Sequence, residues 1–312
     1  MATIFIELPF VTADNRCFGK KVPHKWNAIC LATFQCNSPK VVLLERDMAP
    51  NSLNLGPAAP IQSAPRTSGR IIESILHFLA YHFILKRQST RMARVSGFRL
   101  TVGPTVFDPR YFLTSEFFAN FILTLKLTGK RVADVGTGSG ILALAAAKAG
   151  AAEVVAIDIN PNAVAATAEN AQANGLGHKV IAVTGDMLSS LPAEDRFDVI
   201  LTNPPFFEGQ PRDVADRAWC AGRNFSDIAS LFQQIRERLA PGGHVYVVLS
   251  SKCNMLIFGQ LIEQAKFRAE RIRERSYLIE SILIYELLPF EHNYRSNQNE
   301  DSAIHAMRGR AA

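Results

Sequence analysis

The chain has 312 residues, 48% of them hydrophobic and 20% charged. That length suggests one enzyme-sized domain with an appendage, or two domains, and the composition excludes both a small disulfide-stapled scaffold and a low-hydrophobicity disordered chain. Lys and Arg number 34 against 28 Asp and Glu, a net charge of +6, which fits an anionic partner without identifying one. Five scattered cysteines (Cys17, Cys30, Cys36, Cys220, Cys253) form no CxxC pair and no His-containing metal spacing, so reduced thiols and no metal site are expected. The N-terminal MATIFIELPFVTADNR lacks a basic segment ahead of an apolar run of signal-peptide length, and a cytoplasmic protein is expected. The apolar stretch IIESILHFLAYHFIL at 71–85 holds Glu73, His77 and His82. It falls short of the roughly 20 apolar residues of a membrane span and reads as a buried amphipathic helix, so no membrane partner is expected.

In chain order, residues 1–50 alternate short apolar runs (TIFIEL, AICLATF, KVVLLER) with polar turns, an N-terminal extension of short strands. A Pro/Ser/Gly-rich linker starts at Asn51 and, with the 71–85 helix, makes 51–128 a linker and helical or lid segment. Within it, Pro104 and Pro109 interrupt an extended segment, and SEFFANFILTLKL predicts a helix over 115–127. From Lys130 the pattern is regular. Strands are predicted at 131–135, 153–158, 179–184, 197–203 and 244–250, with helices after 140, from Pro161 to Asn174-Gly175, and around 225–239. The turn Pro241-Gly242-Gly243 separates that last helix from its strand. Strands alternating with helices give a parallel sheet with right-handed crossovers. A helix near 254–267 precedes AERIRERSY and ESILIYELL, two strands joined too tightly for a crossover, so the last must be antiparallel. The core therefore spans 129–292, and 293–312 reads as a polar, frayed tail.

Between the first core strand and its helix lies Asp134-Val135-Gly136-Thr137-Gly138-Ser139-Gly140. Open α/β sheets bind ligands at the carboxyl ends of such strands, where glycines admit a close approach and the next helix offers free N–H groups. GxGxG is one residue short of the dinucleotide fingerprint and lacks the P-loop lysine. Asp158, at the end of the second strand, can accept hydrogen bonds from ribose hydroxyls, while Asn160 is better placed to cap the following helix. After the third strand, Gly185-Asp186-Met187 offers a carboxylate at the height of an adenine amino group, with Met187 as apolar cover.

The fourth strand ends in Asn203-Pro204-Pro205-Phe206. Two prolines fix an extended turn whose carbonyls project outward. The Asn203 side-chain oxygen and the Pro204 carbonyl can accept both hydrogens of one planar NH2 group while Phe206 covers its π-face. Such a site orients a weakly nucleophilic nitrogen, and catalysis is by positioning and electrostatics with no titratable base.

On these residues, the stretch from about 100 to 290 resembles the class I S-adenosylmethionine-dependent N-methyltransferases carrying an NPPY/F motif. That group includes the HemK-like release-factor glutamine methyltransferases and several rRNA and tRNA base methyltransferases. The resemblance implies an α/β, Rossmann-like seven-stranded sheet with an antiparallel last strand, preceded here by an N-terminal α+β extension. It also implies S-adenosylmethionine held by Gly136, Thr137, Gly138, Gly140, Asp158, Ile159, Asp186 and Met187. Asp134 would lie near the methionine end or support the loop, and Asn203 to Phe206 would hold the acceptor. Thr114-Ser115-Glu116 is similar to the segment that covers the cofactor in glutamine methyltransferases, so Thr114 and Glu116 are expected at the amino acid end. Ala218-Trp219-Cys220-Ala221-Gly222-Arg223-Asn224 and Leu249-Ser250-Ser251 are similar to the eukaryotic and archaeal branch. Phe206 departs from the tyrosine usual among the glutamine enzymes.

Three acceptors follow: a protein glutamine, as in a translation factor; an exocyclic amine of adenine or guanine in RNA or DNA; or a small-molecule amine. A catalytically idle binding module is the reading from another class, against which the intact Asn203 motif argues. Segment 86–131 bears nine basic residues (Lys86, Arg87, Arg91, Arg94, Arg99, Arg110, Lys126, Lys130, Arg131) against Asp108 and Glu116, a local +7 suited to phosphates or to a solvated face.

Overall fold

The computed structural model describes residues 51–52, 89–278 and 280–290. The strands expected within 1–50, the 71–85 helix and the polar tail lie outside the described residues. Ten strands and five α-helices follow in chain order among those described: β1 (Asn51–Ser52), β2 (Arg91–Val95), β3 (Phe98–Val102), α1 (Leu113–Ile122), β4 (Arg131–Val135), α2 (Ile141–Lys148), β5 (Glu153–Asp158), α3 (Pro161–Ala173), β6 (Val180–Thr184), β7 (Phe197–Thr202), α4 (Ser226–Arg238), β8 (Leu239–Ser250), α5 (Met255–Gln264), β9 (Phe267–Ser276) and β10 (Ser281–Pro289).

All except the β2–β3 hairpin join one sheet in the order β1-β9-β10-β8-β7-β4-β5-β6. Strands β4 to β8 pair in parallel, whereas β10 runs antiparallel to both β8 and β9. This is the Rossmann-like α/β methyltransferase sheet, with the two-residue β1 added at its edge. The parallel strands read as continuous apolar runs because both faces are covered. Val132, Val154 and Val199 pack on the face carrying α1 and α2, and their neighbours Ala133, Val155 and Ile200 pack on the face carrying α4 and α5.

Four local expectations change. The first helix covers 113–122 rather than 115–127, because the Thr124 hydroxyl takes the Phe121 carbonyl at 2.7 Å and starts a turn. Strand β8 begins at Leu239 rather than His244. Phe197 pairs with Leu239 and Val199 with His244, so Pro241-Gly242-Gly243 bulges within the strand instead of preceding it. Helix α5 stops at Gln264, where Lys266 turns left-handed at φ 64° and leads into β9.

The fourth change is the β2–β3 hairpin, which the sequence reading left without strands. Its two-residue turn is Ser96-Gly97, both at positive φ, as a type I′ connection requires. Asn170 on α3 and Asn174, the residue that caps its C-terminus one turn later, cover the outer edge of β3. Asn170 accepts from Thr101 N (2.6 Å) and donates to Thr101 O (2.9 Å). Asn174 accepts from Arg99 N (3.1 Å) and donates to Arg99 O (2.7 Å). Two carboxamides thus satisfy backbone groups that a further strand would otherwise take.

Candidate active site

The glycine loop leaves β4 at Val135, and Gly136 N and Thr137 N both donate to Ile157 O, at 2.9 and 3.0 Å. Fully buried Asp134 pins the loop to α2: one carboxylate oxygen accepts from Thr137 Oγ1 (2.6 Å) and Ala143 N (3.0 Å). Burial pushes this carboxyl up to about 7; the bonds from Thr137 and Ala143 oppose that rise, and the Asp158 charge adds to it. Asp134 therefore supports the loop and does not line the cavity. Gly140 also sits behind the wall. A Cβ there would meet the Thr167 side chain at 2.9 Å, so glycine is what allows α2 and α3 to close on each other.

One cavity opens at the carboxyl ends of β4, β5 and β7, and Gly136, Thr137, Gly138, Asp158, Ile159, Asp186 and Met187 line it together with Thr114 and Asn203 to Phe206. The structure thus brings the expected residues together apart from Asp134, Gly140 and Glu116. Glu116 is exposed on α1 and does not line the cavity; on the same first turn, Thr114 faces inward. This corrects the expectation for Glu116, because one helical turn cannot aim residues two apart at the same wall.

Asp158 accepts from Gly138 N on one oxygen and from Asn160 N on the other, both at 2.9 Å. Burial raises its pKa, while the N–H groups of Asn160, Gly138 and Ile159 oppose the rise. Each oxygen keeps lone-pair capacity for a ligand hydroxyl. Asn160 caps α3 through Asn162 N at 3.0 Å, and its Nδ2 donates to Thr105 O and Oγ1 at 3.0 and 3.1 Å. That contact straps the 103–112 segment across the site, where Phe107 stacks on Phe112 with centroids 3.8 Å apart.

At the end of β7, Thr202 Oγ1 donates to Val135 O at 3.0 Å, and Asn203 Nδ2 donates to Thr114 Oγ1 at 3.4 Å. With Nδ2 turned toward Thr114, Asn203 Oδ1 is the atom of this side chain that can accept from a ligand. Phe206 lies 4.7 Å from Phe207, which stacks on Trp219 at 5.5 Å. The chain beyond the motif doubles back through Phe207 N to Trp219 O (3.0 Å) and Ala221 N to Phe207 O (2.7 Å). An ion pair of Arg212 with buried Asp216 at 2.8 Å secures that return. Trp219, Arg217, Phe112 and Glu280 all line the cavity and were not named as site residues. Only Trp219 had a sequence signal, as part of the resemblance after the motif.

Of the basic segment, three side chains are paired with carboxylates, while Arg94, Arg99 and Lys126 are exposed. Arg110 pairs with Asp108 (2.6 Å), Lys130 with Asp198 (3.4 Å), and Arg131 with Glu153 (2.6 Å) and Asp195 (2.8 Å). Arg91 donates to Tyr111 Oη at 2.8 Å, and Arg99 to Ala173 O at 3.0 Å. Lys86 and Arg87 lie outside the described residues. Among the described residues no group of three or more His, Cys, Asp or Glu side chains could hold a metal ion, and no helix is long and apolar enough to cross a membrane.

Comparison with known proteins gives the site its class. The family model described as ribosomal protein L11 methyltransferase (PrmA) matches residues 114–204. A protein of Methanocaldococcus jannaschii named "Putative protein N5-glutamine methyltransferase" is 30% identical over 166 residues, covering 50% of this chain and 78% of that one. The chain belongs to the class I S-adenosylmethionine-dependent methyltransferases. The ribosomal protein L11 methyltransferase of Pelotomaculum thermopropionicum is 43% identical over 102 residues, but this methyltransferase spans only 32% of that protein's length. Among solved structures, it is similar to a T. thermophilus 16S rRNA N2 methyltransferase in complex with AdoMet and guanosine (25% identity, 64% of this chain, 50% of that chain, TM-score 0.47).

S-adenosylmethionine is the cofactor of the class, and the cavity suits it. A Cβ built on Gly136 would meet no atom within 4 Å, so this lining glycine leaves its space to a ligand. Acidic groups at the ends of β5 and β6 fit ribose hydroxyls and an adenine amino group.

Proposed function

We propose that this methyltransferase acts on the side-chain amide nitrogen of a protein glutamine, with Asn203, Pro204, Pro205 and Phe206 holding the acceptor. The observation that carries the reading is the placement of Asn203: it lines the cavity shared with the glycine loop, and Thr114 takes its Nδ2 so that Oδ1 remains to accept. Bound S-adenosylmethionine supplies an electrophilic methyl on its sulfonium. Asn203 Oδ1 and Pro204 O each accept one hydrogen of the carboxamide NH2, and Phe206 covers its face. Held in this way, the amide nitrogen presents its lone pair toward the methyl. Asp158 binds the ribose, Asp186 and Met187 the adenine, and Thr114 the amino acid end.

The relative from M. jannaschii supports this choice by name. The aromatic wall of Phe206, Phe207 and Trp219 along the cavity favours a second reading, a nucleobase amine stacked on one of these rings. Incubating purified enzyme and cell extract with radiolabelled methyl donor, then separating protein from nucleic acid, decides between them. Label in protein, recovered as methylglutamine after digestion, is the expected result; label confined to RNA or DNA refutes it.

A further inference from the structure

Four acidic side chains line the cavity, Asp158, Asp186, Asp227 and Glu280, against one basic side chain among the described residues, Arg217. Arg217 is half-buried in the short turn Asp216–Ala218, on the chain that returns from the motif. That turn is closed by its own backbone, with Trp219 N and Cys220 N both donating to Asp216 O at 3.0 Å. The carboxylate next to Arg217 is already taken. Asp216 accepts from Arg212 Nε at 2.8 Å on one oxygen and from Arg212 Nη2 at 3.1 Å on the other, and Arg212 N adds a third bond at 3.1 Å. Among the described residues Arg217 forms no hydrogen bond or ion pair, whereas Arg110, Arg131 and Arg212 each have a carboxylate partner. A guanidinium held in a cavity wall gives up part of its hydration, and a carboxylate matches its planar fork in both geometry and charge.

The place of Arg217 says which ligand carries that carboxylate. In the reading above, the cofactor's ribose and adenine go to Asp158 and Asp186, at the ends of β5 and β6. Strand β7, which ends in the motif, lies on the opposite side of β4 from β5 and β6. Arg217 belongs to the motif side: two residues on, Trp219 O accepts from Phe207 N at 3.0 Å and the Trp219 ring stacks on Phe207. Val214, three residues before Arg217, lines the cavity and is 43% exposed, so this turn stands where the cavity opens to solvent. Because Arg217 and Asn203 line one cavity, an acceptor whose amide reaches Asn203 presents its adjoining residue to Arg217.

We infer that Arg217 pairs with a carboxylate of the acceptor chain and so selects a glutamine that has an aspartate or glutamate as its immediate neighbour. This deepens the glutamine reading and rests on it. The amide is thereby held by Asn203 and the residue beside it by Arg217, which fixes the approach line to the methyl.

The test uses the full chain, S-adenosylmethionine and capped pentapeptides with a central glutamine, in which the residue before or after it is Asp or its uncharged isostere Asn. Wild type uses the better Asp peptide about 10-fold more efficiently in kcat/KM than its Asn counterpart, chiefly through KM, as for one charge-assisted pair at a partly solvated site. The ratio falls as salt rises. Arg217→Ala uses both peptides alike, and Arg217→Glu prefers a Lys peptide to the Asp peptide, a reversal that a merely structural role would not produce. Affinity for S-adenosylhomocysteine reports that each variant is folded. If Arg217→Ala loses that affinity but binds 5'-methylthioadenosine as wild type does, Arg217 serves the cofactor's own carboxylate and the inference is overturned. A wild-type ratio within twofold at both positions, or a ratio kept by Arg217→Ala, overturns it too, and all these outcomes leave the glutamine reading standing. Wild type that methylates none of the peptides also overturns the inference, and RNA methylated in their place, more weakly by Arg217→Ala, puts a phosphate at Arg217 and overturns the glutamine reading with it.

Discussion

The buried Asp134 carboxylate makes a quantitative prediction about pH. It is wholly enclosed, and one of its oxygens has no hydrogen-bond partner among the described residues. Burial moves its pKa from 3.8 to about 7. Between those values the folded protein keeps a proton that the unfolded chain has released, so this group lowers stability as pH rises, and the loss is complete above pH 7. At about 1.4 kcal/mol per pH, the full cost is about 4 kcal/mol, of which about 3 kcal/mol falls between pH 5 and 8. Asp134→Asn keeps an acceptor oxygen for Thr137 Oγ1 and Ala143 N and removes the charge. Urea unfolding of wild type and variant, without cofactor, at pH 5, 6, 7 and 8 is expected to show the wild type losing about 3 kcal/mol relative to the variant. Parallel pH profiles would refute the reasoning, because they would mean that the carboxyl is ionised alike in both states.

Asp158→Ala is expected to weaken S-adenosylhomocysteine binding by about 1.5–3 kcal/mol in calorimetry, the range for hydrogen bonds to a charged group. Since the same carboxylate holds Gly138 N and Asn160 N, a lower Tm accompanies the loss, and unchanged affinity removes Asp158 from the ribose role. Asn203→Ala is expected to lower methyl transfer about 100-fold or more at unchanged cofactor affinity, with Asn203→Asp retaining more activity than Ala. Equal turnover by Ala and wild type would make Asn203 only a turn residue.

The five parallel strands were legible because each is a short apolar run bounded by turn residues, a local signal. The glycine loop, Asp158, Asp186 and Asn203 were legible for a related reason. In a parallel α/β sheet every strand's carboxyl end opens on the same side, so residues at successive strand ends must converge. The order of elements also required the last strand to be antiparallel, since a short connection leaves no room for a crossover.

What the order of residues leaves open is direction and partnership. Thr114 and Glu116 share a helical turn, yet only the packing of α1 against the strand ends sends one inward and the other to solvent. Arg131 counted toward a basic segment until the sheet brought it against Glu153 and Asp195, 22 and 64 residues away. Asn170 looks like an ordinary polar position on α3 and Asn174 like its stop signal, and they become edge caps only when β3 arrives from 69 to 75 residues earlier. Glu280 opens the stretch ESILIYELL that the sequence reads as the last strand, which in the structure begins one residue later at Ser281. It is a cavity residue because β10 pairs with β8 and so sets Glu280, just before it, beside Ser250. Strand ends are set by local chemistry, whereas the wall facing them is built from contacts between segments far apart in the chain, and only the folded sheet decides which of those meet.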